Sequence, residues 1–128
     1  MPKVLVVDDD PRMVRLLSAT LPSDYEVIQA TDGATALAMA EATLPDLLLL
    51  DVNLPGMDGF EVLRRMKESE TLRRMRVIMV TARLDEADII LGLETGADAY
   101  LTKPFSPLAL LEKASELLGS VDIVIVTR

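Results

Sequence analysis

The sequence has no cysteine and no histidine among its 128 residues. Without cysteine there is no disulfide framework, no thiolate metal site and no cysteine nucleophile. Without histidine, a Ser-His-Asp triad and a His-ligated zinc are excluded as well. Long apolar stretches are also missing. Leu47–Leu50 and Val77–Val80 are short runs, whereas a membrane-spanning helix needs about 20 apolar residues. Lys3 is followed by a brief apolar run and then by Asp8, Asp9 and Asp10, which is not the pattern of a secretory leader. The expectation is a cytoplasmic protein with no membrane partner. Positive charge is scarce: 13 Lys and Arg against 21 Asp and Glu leave a net charge of −8. Phosphates must be neutralised by Lys and Arg, so nucleic acid is not an expected partner of this domain alone. Arg64, Arg65, Lys67, Arg73, Arg74 and Arg76 crowd one region and read as a solvated helix face and loop.

What is present suits one domain. The chain is 50% apolar and 27% charged, a composition of folded rather than disordered or low-complexity chains. Lys3–Val7 is a β-branched apolar run, the pattern of a buried strand. Asp10-Pro11 reads as an N-cap followed by proline at the first helical position, and Val14, Leu17 and Leu21 keep helical spacing up to Pro22. Tyr25–Ala30 reads as a second strand. Gly33 precedes an alanine-rich helix over about Ala34–Thr43, closed by Pro45. Asp46–Asp51 is a third strand and Asn53-Leu54-Pro55-Gly56 a turn. Asp58 and Glu61 have capping-box spacing ahead of a helix with Phe60, Leu63 and Met66 on one face. Arg76–Thr81 is a fourth strand, and Asp85 caps a helix ending at Gly96. Ala99–Thr102 is a fifth strand, and Ser106-Pro107 opens a last helix to Leu118, with Gly119 behind it. This alternation predicts a doubly wound parallel sheet with helices on both faces.

In such sheets ligands bind beyond the carboxyl ends of the strands. The first strand runs into Asp8-Asp9-Asp10, the third into Asp51, the fourth ends in Thr81, and the fifth leads to Lys103-Pro104. The second ends in Gln29-Ala30-Thr31 without comparable charge, so with that strand at an edge the other four converge. Crowded carboxylates repel unless a cation or a lysine shares the site. A hard divalent ion such as Mg²⁺ with oxygen ligands meets that need. A nearby lysine and hydroxyl suit a phosphoryl group, and an aspartate beside Mg²⁺ can be its nucleophile. Asp10 reads as a helix cap only.

Asp8-Asp9, Asp51 with Pro55-Gly56-Met57-Asp58-Gly59 behind it, Thr81-Ala82, and Tyr100-Leu101-Thr102-Lys103-Pro104-Phe105 together resemble the receiver domain of two-component response regulators, of the chemotaxis-receiver-like kind. The resemblance covers residues 2–119, leaving 120–128 as a C-terminal tail or linker. It implies a flavodoxin-like fold of five parallel strands in the order 2-1-3-4-5 with five helices. It implies a phosphoacceptor switch, not an enzyme beyond its own phosphorylation and dephosphorylation, fed by a sensor histidine kinase or a phosphotransfer protein. Asp51 would be the phosphoacceptor. Asp9 would ligate Mg²⁺ directly, Asp8 through water, and Asn53 through its backbone carbonyl. Lys103 would contact the phosphoryl group, Thr81 would donate to it, and Tyr100 would be the aromatic that follows Thr81. A cis Lys103–Pro104 bond is implied too.

Three rivals differ in what they require. An aspartyl-phosphate hydrolase needs a second acid where Asn53 stands. A flavin module needs a phosphate loop where this chain has three aspartates. A degenerate receiver, serving only as an interaction or dimerisation module, would lack an acceptor-site residue. Within the resemblance, Asn53 and Arg83 occupy positions that tune phosphoryl lifetime; Arg83 either shields the phosphoryl group or is a solvated side chain. On the face formed by the fourth helix, fifth strand and fifth helix, Ile89, Leu91, Leu108 and Ala109 stand where a related subfamily has polar or basic residues, and Lys113 stands at the position of its pairing arginine. Ile90, Leu93 and Ala97 are assigned to the core. Self-association or partner docking through that apolar face is the expectation, with a symmetric homodimer as the default geometry. The tail Val121–Val126 has strong strand propensity and is expected either to pair, most readily with a neighbouring chain, or to stay disordered.

Overall fold

Four consecutive leucines with no polar alternation need cover on both faces, and the fold provides it. The structure, a computed structural model, describes residues 2–119. Its elements are β1 (Lys3–Val7), α1 (Pro11–Thr20), β2 (Glu26–Ala30), α2 (Gly33–Thr43), β3 (Leu47–Leu50), α3 (Gly59–Glu68), β4 (Arg76–Thr81), α4 (Glu86–Thr95), β5 (Ala99–Thr102) and α5 (Pro107–Leu118). The strands form one five-stranded sheet in the order β2-β1-β3-β4-β5, and every pairing is parallel. This is the doubly wound arrangement expected from the alternation of elements.

Successive side chains of a strand point to opposite faces, and the core divides accordingly. Leu5, Val7, Leu48, Leu50, Val77 and Met79 pack with Ala36 and Ala40 of α2 and with Val62, Leu63 and Met66 of α3. Val4, Val6, Leu47, Leu49, Ile78 and Val80 pack with Leu17 of α1 and with Leu110 and Ala114 of α5. The Ala-rich face of α2 lets that helix lie close to the sheet. Phe105 packs at the margin of the second core, an anchor rather than a ligand.

Register sets the site. Val7 pairs with Leu50 and Leu50 with Met79, so Asp8 and Asp51 leave their strands at the same level, beside the end of β4. Thr81 pairs with Thr102, which delivers Lys103 to the same rim.

Local differences from the sequence reading have local causes. Tyr25 and Asp46 lie outside β2 and β3 because Asp46 turns its carboxylate to the Lys3 amide at 2.8 Å and Tyr25 closes a turn onto the Pro22 carbonyl. The helix of α2 begins one residue earlier, at Gly33, capped by Asp32, whose Oδ1 accepts from the Thr35 amide at 2.8 Å. Asp58 caps α3 by accepting from the Glu61 amide at 2.9 Å. The reciprocal half of the box is not made. The Glu61 carboxylate accepts instead from Arg64 and Arg65, and these hydrogen bonds hold its pKa down at about 2. Asp85 sits at the N-cap of α4 but makes no side-chain cap.

The largest correction concerns α4. Its buried residue is Gly92, not the aliphatic pair assigned to the core. Ile90, Leu91 and Leu93 are all between 45% and 47% exposed; only Ala97, just past the helix, is buried as expected. Leu91, assigned from the sequence to the α4–β5–α5 face, is exposed on the side of α4 that faces α3. It lines a surface cleft of about 300 Å³ against α3, with Asp58, Phe60, Glu61, Arg64 and Thr95. Residues on a helix are offset by about 100°, so Leu93, on the other flank of Gly92, and half-buried Ile89 lie on the side turned away from α3. The tail Val121–Val126 lies outside the described residues.

Candidate functional site

Each acidic side chain of the site is held by a strand end and its following loop. The Asp51 amide donates to the Val7 carbonyl at 3.0 Å, and the Asp8 amide to the Ala30 carbonyl at 3.2 Å, extending the ladder one residue past the strands. Asp8 and Asp51 are buried, and Asp9 is exposed. One carboxylate oxygen from each of the three lies within 4.8 Å of the others, an arrangement that could hold a metal ion. The loops order the remaining lone pairs. Asp8 Oδ1 accepts from the Asp10 amide at 2.8 Å, and Asp51 Oδ1 accepts from the Asn53 amide at 3.1 Å. Asp10 itself turns away and caps α1 through the Arg12 amide at 2.9 Å. Its carboxyl is held below the usual range, chiefly by the hydrogen bond from the Arg12 side chain.

Lys103 enters from β5. Its amide donates to the Thr81 carbonyl at 2.8 Å, and the peptide bond to Pro104 is cis. The ammonium bridges the two buried carboxylates, at 2.7 Å from Asp8 Oδ2 and 3.0 Å from Asp51 Oδ2. Burial alone would lower the Lys103 pKa; the hydrogen bonds it donates to Asp8 and Asp51 outweigh it and leave the ammonium above its ordinary value. One cation facing three carboxylates leaves an uncompensated negative site. A hard divalent ion with oxygen ligands, Mg²⁺ among them, suits both the charge and the donor set.

Thr81 is fully buried at the end of β4, and its Oγ1 accepts from the Arg83 amide at 3.4 Å. Arg83 is not a freely solvated side chain. Its Nε donates to Asn53 Oδ1 at 3.0 Å, and its guanidinium lies 3.8 Å from Asp88. The two positions singled out as lifetime-tuning are therefore hydrogen-bonded to each other. Tyr100 joins the same loop, since its hydroxyl donates to the Arg83 carbonyl at 3.0 Å. Its pKa is raised, first by burial and then by the negative charge of Asp88.

Asp8, Asp9, Asp51, Thr81 and Lys103 thus converge, with Asn53, Arg83 and Tyr100 around them. Ile89, Leu91, Leu108 and Ala109 lie on helices outside this cluster. Gly59 was not separated by the sequence from the motif that contains it. A Cβ there would overlap the Asp51 carbonyl oxygen and stand 2.8 Å from Val52 Cα, so the start of α3 touches the acceptor strand directly. A glycine at the first helical position, right after a capping aspartate, was the available signal. Asp98 accepts from the Val77 amide at 2.8 Å and from Arg76, while Lys113 pairs with Glu116 of its own helix.

A family model described as response regulator receiver domain matches residues 4–115. The chain is 49% identical over 116 residues to the response regulator PleD of Caulobacter vibrioides, a match covering 90% of this chain and 26% of that protein. It is 44% identical over 122 residues to the alkaline phosphatase synthesis transcriptional regulatory protein PhoP of Bacillus subtilis, covering 94% of this chain and 50% of that one. The chain therefore spans half or less of these relatives. Among solved structures, the chemotaxis protein CheY4 of Vibrio cholerae superposes with a TM-score of 0.84 at 35% identity, covering 92% of this chain and 99% of that one. A BeF3-activated DrrB receiver domain does so with 0.83 at 33% identity, covering 93% and 98%.

Proposed function

The chain belongs to the response regulator receiver family, and from that premise we propose that it is a phosphoacceptor switch with Asp51 as the acceptor. The observation that carries the reading is the Lys103 ammonium held between Asp8 and Asp51 at 2.7 and 3.0 Å, with Asp9 beside them. A carboxylate oxygen of Asp51 attacks the phosphorus of a donor, and the P–O bond forms as the donor's P–N or P–O bond breaks. The donor is a sensor histidine kinase or a phosphotransfer protein in the cytoplasm, and a small acyl phosphate is a usable substitute. Lys103 stays with the phosphoryl oxygens, and Thr81 turns its hydroxyl to them. Asp8, Asp9, Asp51 and the Asn53 carbonyl would hold Mg²⁺, which when bound offsets negative charge on the transferring group. Tyr100, bonded to the loop behind Thr81, passes the change to α4 and β5. The domain signals, and on this reading its only chemistry is its own phosphorylation and dephosphorylation. A degenerate module is disfavoured because every acceptor-site residue is present.

Incubation with acetyl phosphate, read by intact mass, tests the assignment. The native protein should gain one phosphoryl group in Mg²⁺. Chelation of the metal, or Asp9→Ala, should slow uptake by about 100-fold, the equivalent of a few kcal/mol of charge stabilisation. No uptake by the native protein in Mg²⁺ would hand the reading to the degenerate module.

Asn53 and Arg83 set the lifetime. With its side chain bound to Asn53, Arg83 covers the approach of water. Arg83→Ala should shorten the phosphoryl half-life about five-fold, the value of one hydrogen bond of about 1 kcal/mol, without blocking uptake. An unchanged half-life would remove Arg83 from this role.

A homodimer on the α4–β5–α5 side is the remaining part of the reading. It is supported by Ile89, Leu93, Leu108 and Ala109, with Leu91 withdrawn from the set. Apolar contacts are not screened, so association should persist at high salt. Sedimentation of the native protein and an Ile89→Lys/Leu108→Lys variant, with and without beryllofluoride, checks this; identical behaviour of the two would refute it.

A further inference from the structure

The ten residues of α4 include three large aliphatic side chains that point outward, while the buried position is a glycine. Glycine is the poorest helix former after proline, so its place in the middle of a helix asks for a packing reason. The reason is Tyr100. A Cβ on residue 92 would stand 3.2 Å from Tyr100 Cδ2, 3.3 Å from Tyr100 Cε2 and 3.6 Å from Phe60 Cε1. The Tyr100 ring lies against bare helix backbone on one side, while its hydroxyl is held by the Arg83 carbonyl at 3.0 Å. Arg83 in turn bonds to Thr81 and Asn53. A contiguous set of contacts therefore runs from the acceptor loop through Arg83 and Tyr100 to α4.

We infer that Gly92 is a positioning residue for Tyr100: the missing side chain forms the slot in which the ring lies against α4 with its hydroxyl on the Arg83 carbonyl. Any side chain at 92 forces the ring to shift by a few tenths of an ångström. The ring has little room to give, because Phe60 lies beside the same point and the hydroxyl is tethered. The tether then breaks, or α4 moves outward. In either case a change at Thr81 is no longer read at α4, although Asp51, Lys103 and the aspartate cluster are untouched. The consequence for signalling rests on the phosphoacceptor reading; the slot itself does not.

The chain has only two tyrosines, so fluorotyrosine labelling of a Tyr25→Phe background gives one ¹⁹F resonance, from Tyr100. In Gly92→Ala that resonance should move in the free protein, and most of its response to beryllofluoride and Mg²⁺ should be lost, while the rate of phosphoryl uptake from acetyl phosphate is unchanged. Glu94→Ala, on the exposed side of the same helix, should leave the resonance and its response as they are. A thermal cycle gives a second readout. Gly92→Ala should lower Tm when Tyr100 is present and raise it in a Tyr100→Ala background, where only the better helix former is felt. An unmoved Tyr100 resonance, an equal effect of Glu94→Ala, or a Tm that rises alike in both backgrounds would overturn the inference. If the native protein binds no beryllofluoride, the phosphoacceptor reading fails. The free-protein resonance and the thermal cycle still decide the role of Gly92.

Discussion

Asp51→Asn should take up no phosphoryl group from acetyl phosphate under conditions that load the native protein, because an amide is not a nucleophile toward phosphorus. It should not destabilise the fold. The substitution removes the attraction to Lys103 at 3.0 Å together with repulsions from Asp8 and Asp9 across at most 4.8 Å. At an effective dielectric of about 20 the lost attraction is worth roughly 5.5 kcal/mol and the two relieved repulsions together at least roughly 7. The relieved repulsions win by roughly 1.5 kcal/mol or more, so without divalent cations Tm should hold or rise by several degrees. The stabilisation conferred by Mg²⁺ should drop, because one of three carboxylates is gone. Intact mass and thermal melts with and without Mg²⁺ measure both. Normal phosphorylation of Asp51→Asn would sink the site assignment.

Gly59→Ala carries the second large effect, although residue 59 has no side chain to do chemistry. A methyl there would overlap the Asp51 carbonyl oxygen and lie 2.8 and 2.9 Å from Val52 Cα and the Asp51 carbonyl carbon. Backbone cannot rotate out of the way as a side-chain tip can. The start of α3 or the end of β3 has to move, at a cost of about 3 kcal/mol, the upper range for overpacking, or about 10 °C in Tm for a domain of this size. Displacement of Asp51 should also slow phosphoryl uptake by about 100-fold, the penalty for an ångström-scale misplacement of a reacting group. Gly56→Ala is the control. Its φ is +76° but nothing lies near the added methyl, so it should lose stability through backbone strain alone and keep its uptake rate. Native uptake and stability in Gly59→Ala would show that α3 does not position the acceptor.

The order of elements and the chemistry at the strand ends were determined by the sequence alone, for local reasons. Buried parallel strands are continuous apolar runs, as at Lys3–Val7, Leu47–Leu50 and Arg76–Thr81, and caps such as Asp10, Asp58 and Ser106 act within one turn of helix. The aspartates directly after β1 and β3, the threonine ending β4 and the lysine after β5 are then brought to one rim by the level register, which any doubly wound sheet of this order requires. Contacts between side chains far apart in sequence were decided only by the tertiary structure. Arg83 could not be matched to Asn53 or to the Tyr100 hydroxyl from spacing, because its partners lie 30 and 17 residues away. Glu61 is a local exception: it left its capping box because Arg64 and Arg65, three and four residues on, compete for its carboxylate. The rotation of α4 was equally hidden. A helix with Ile89, Ile90, Leu91 and Leu93 in succession has aliphatic residues on most sides, so periodicity gives no single inward stripe. What orients it is the fit of Tyr100 and Phe60 against Gly92, a contact made by the one residue of that helix whose side chain is absent.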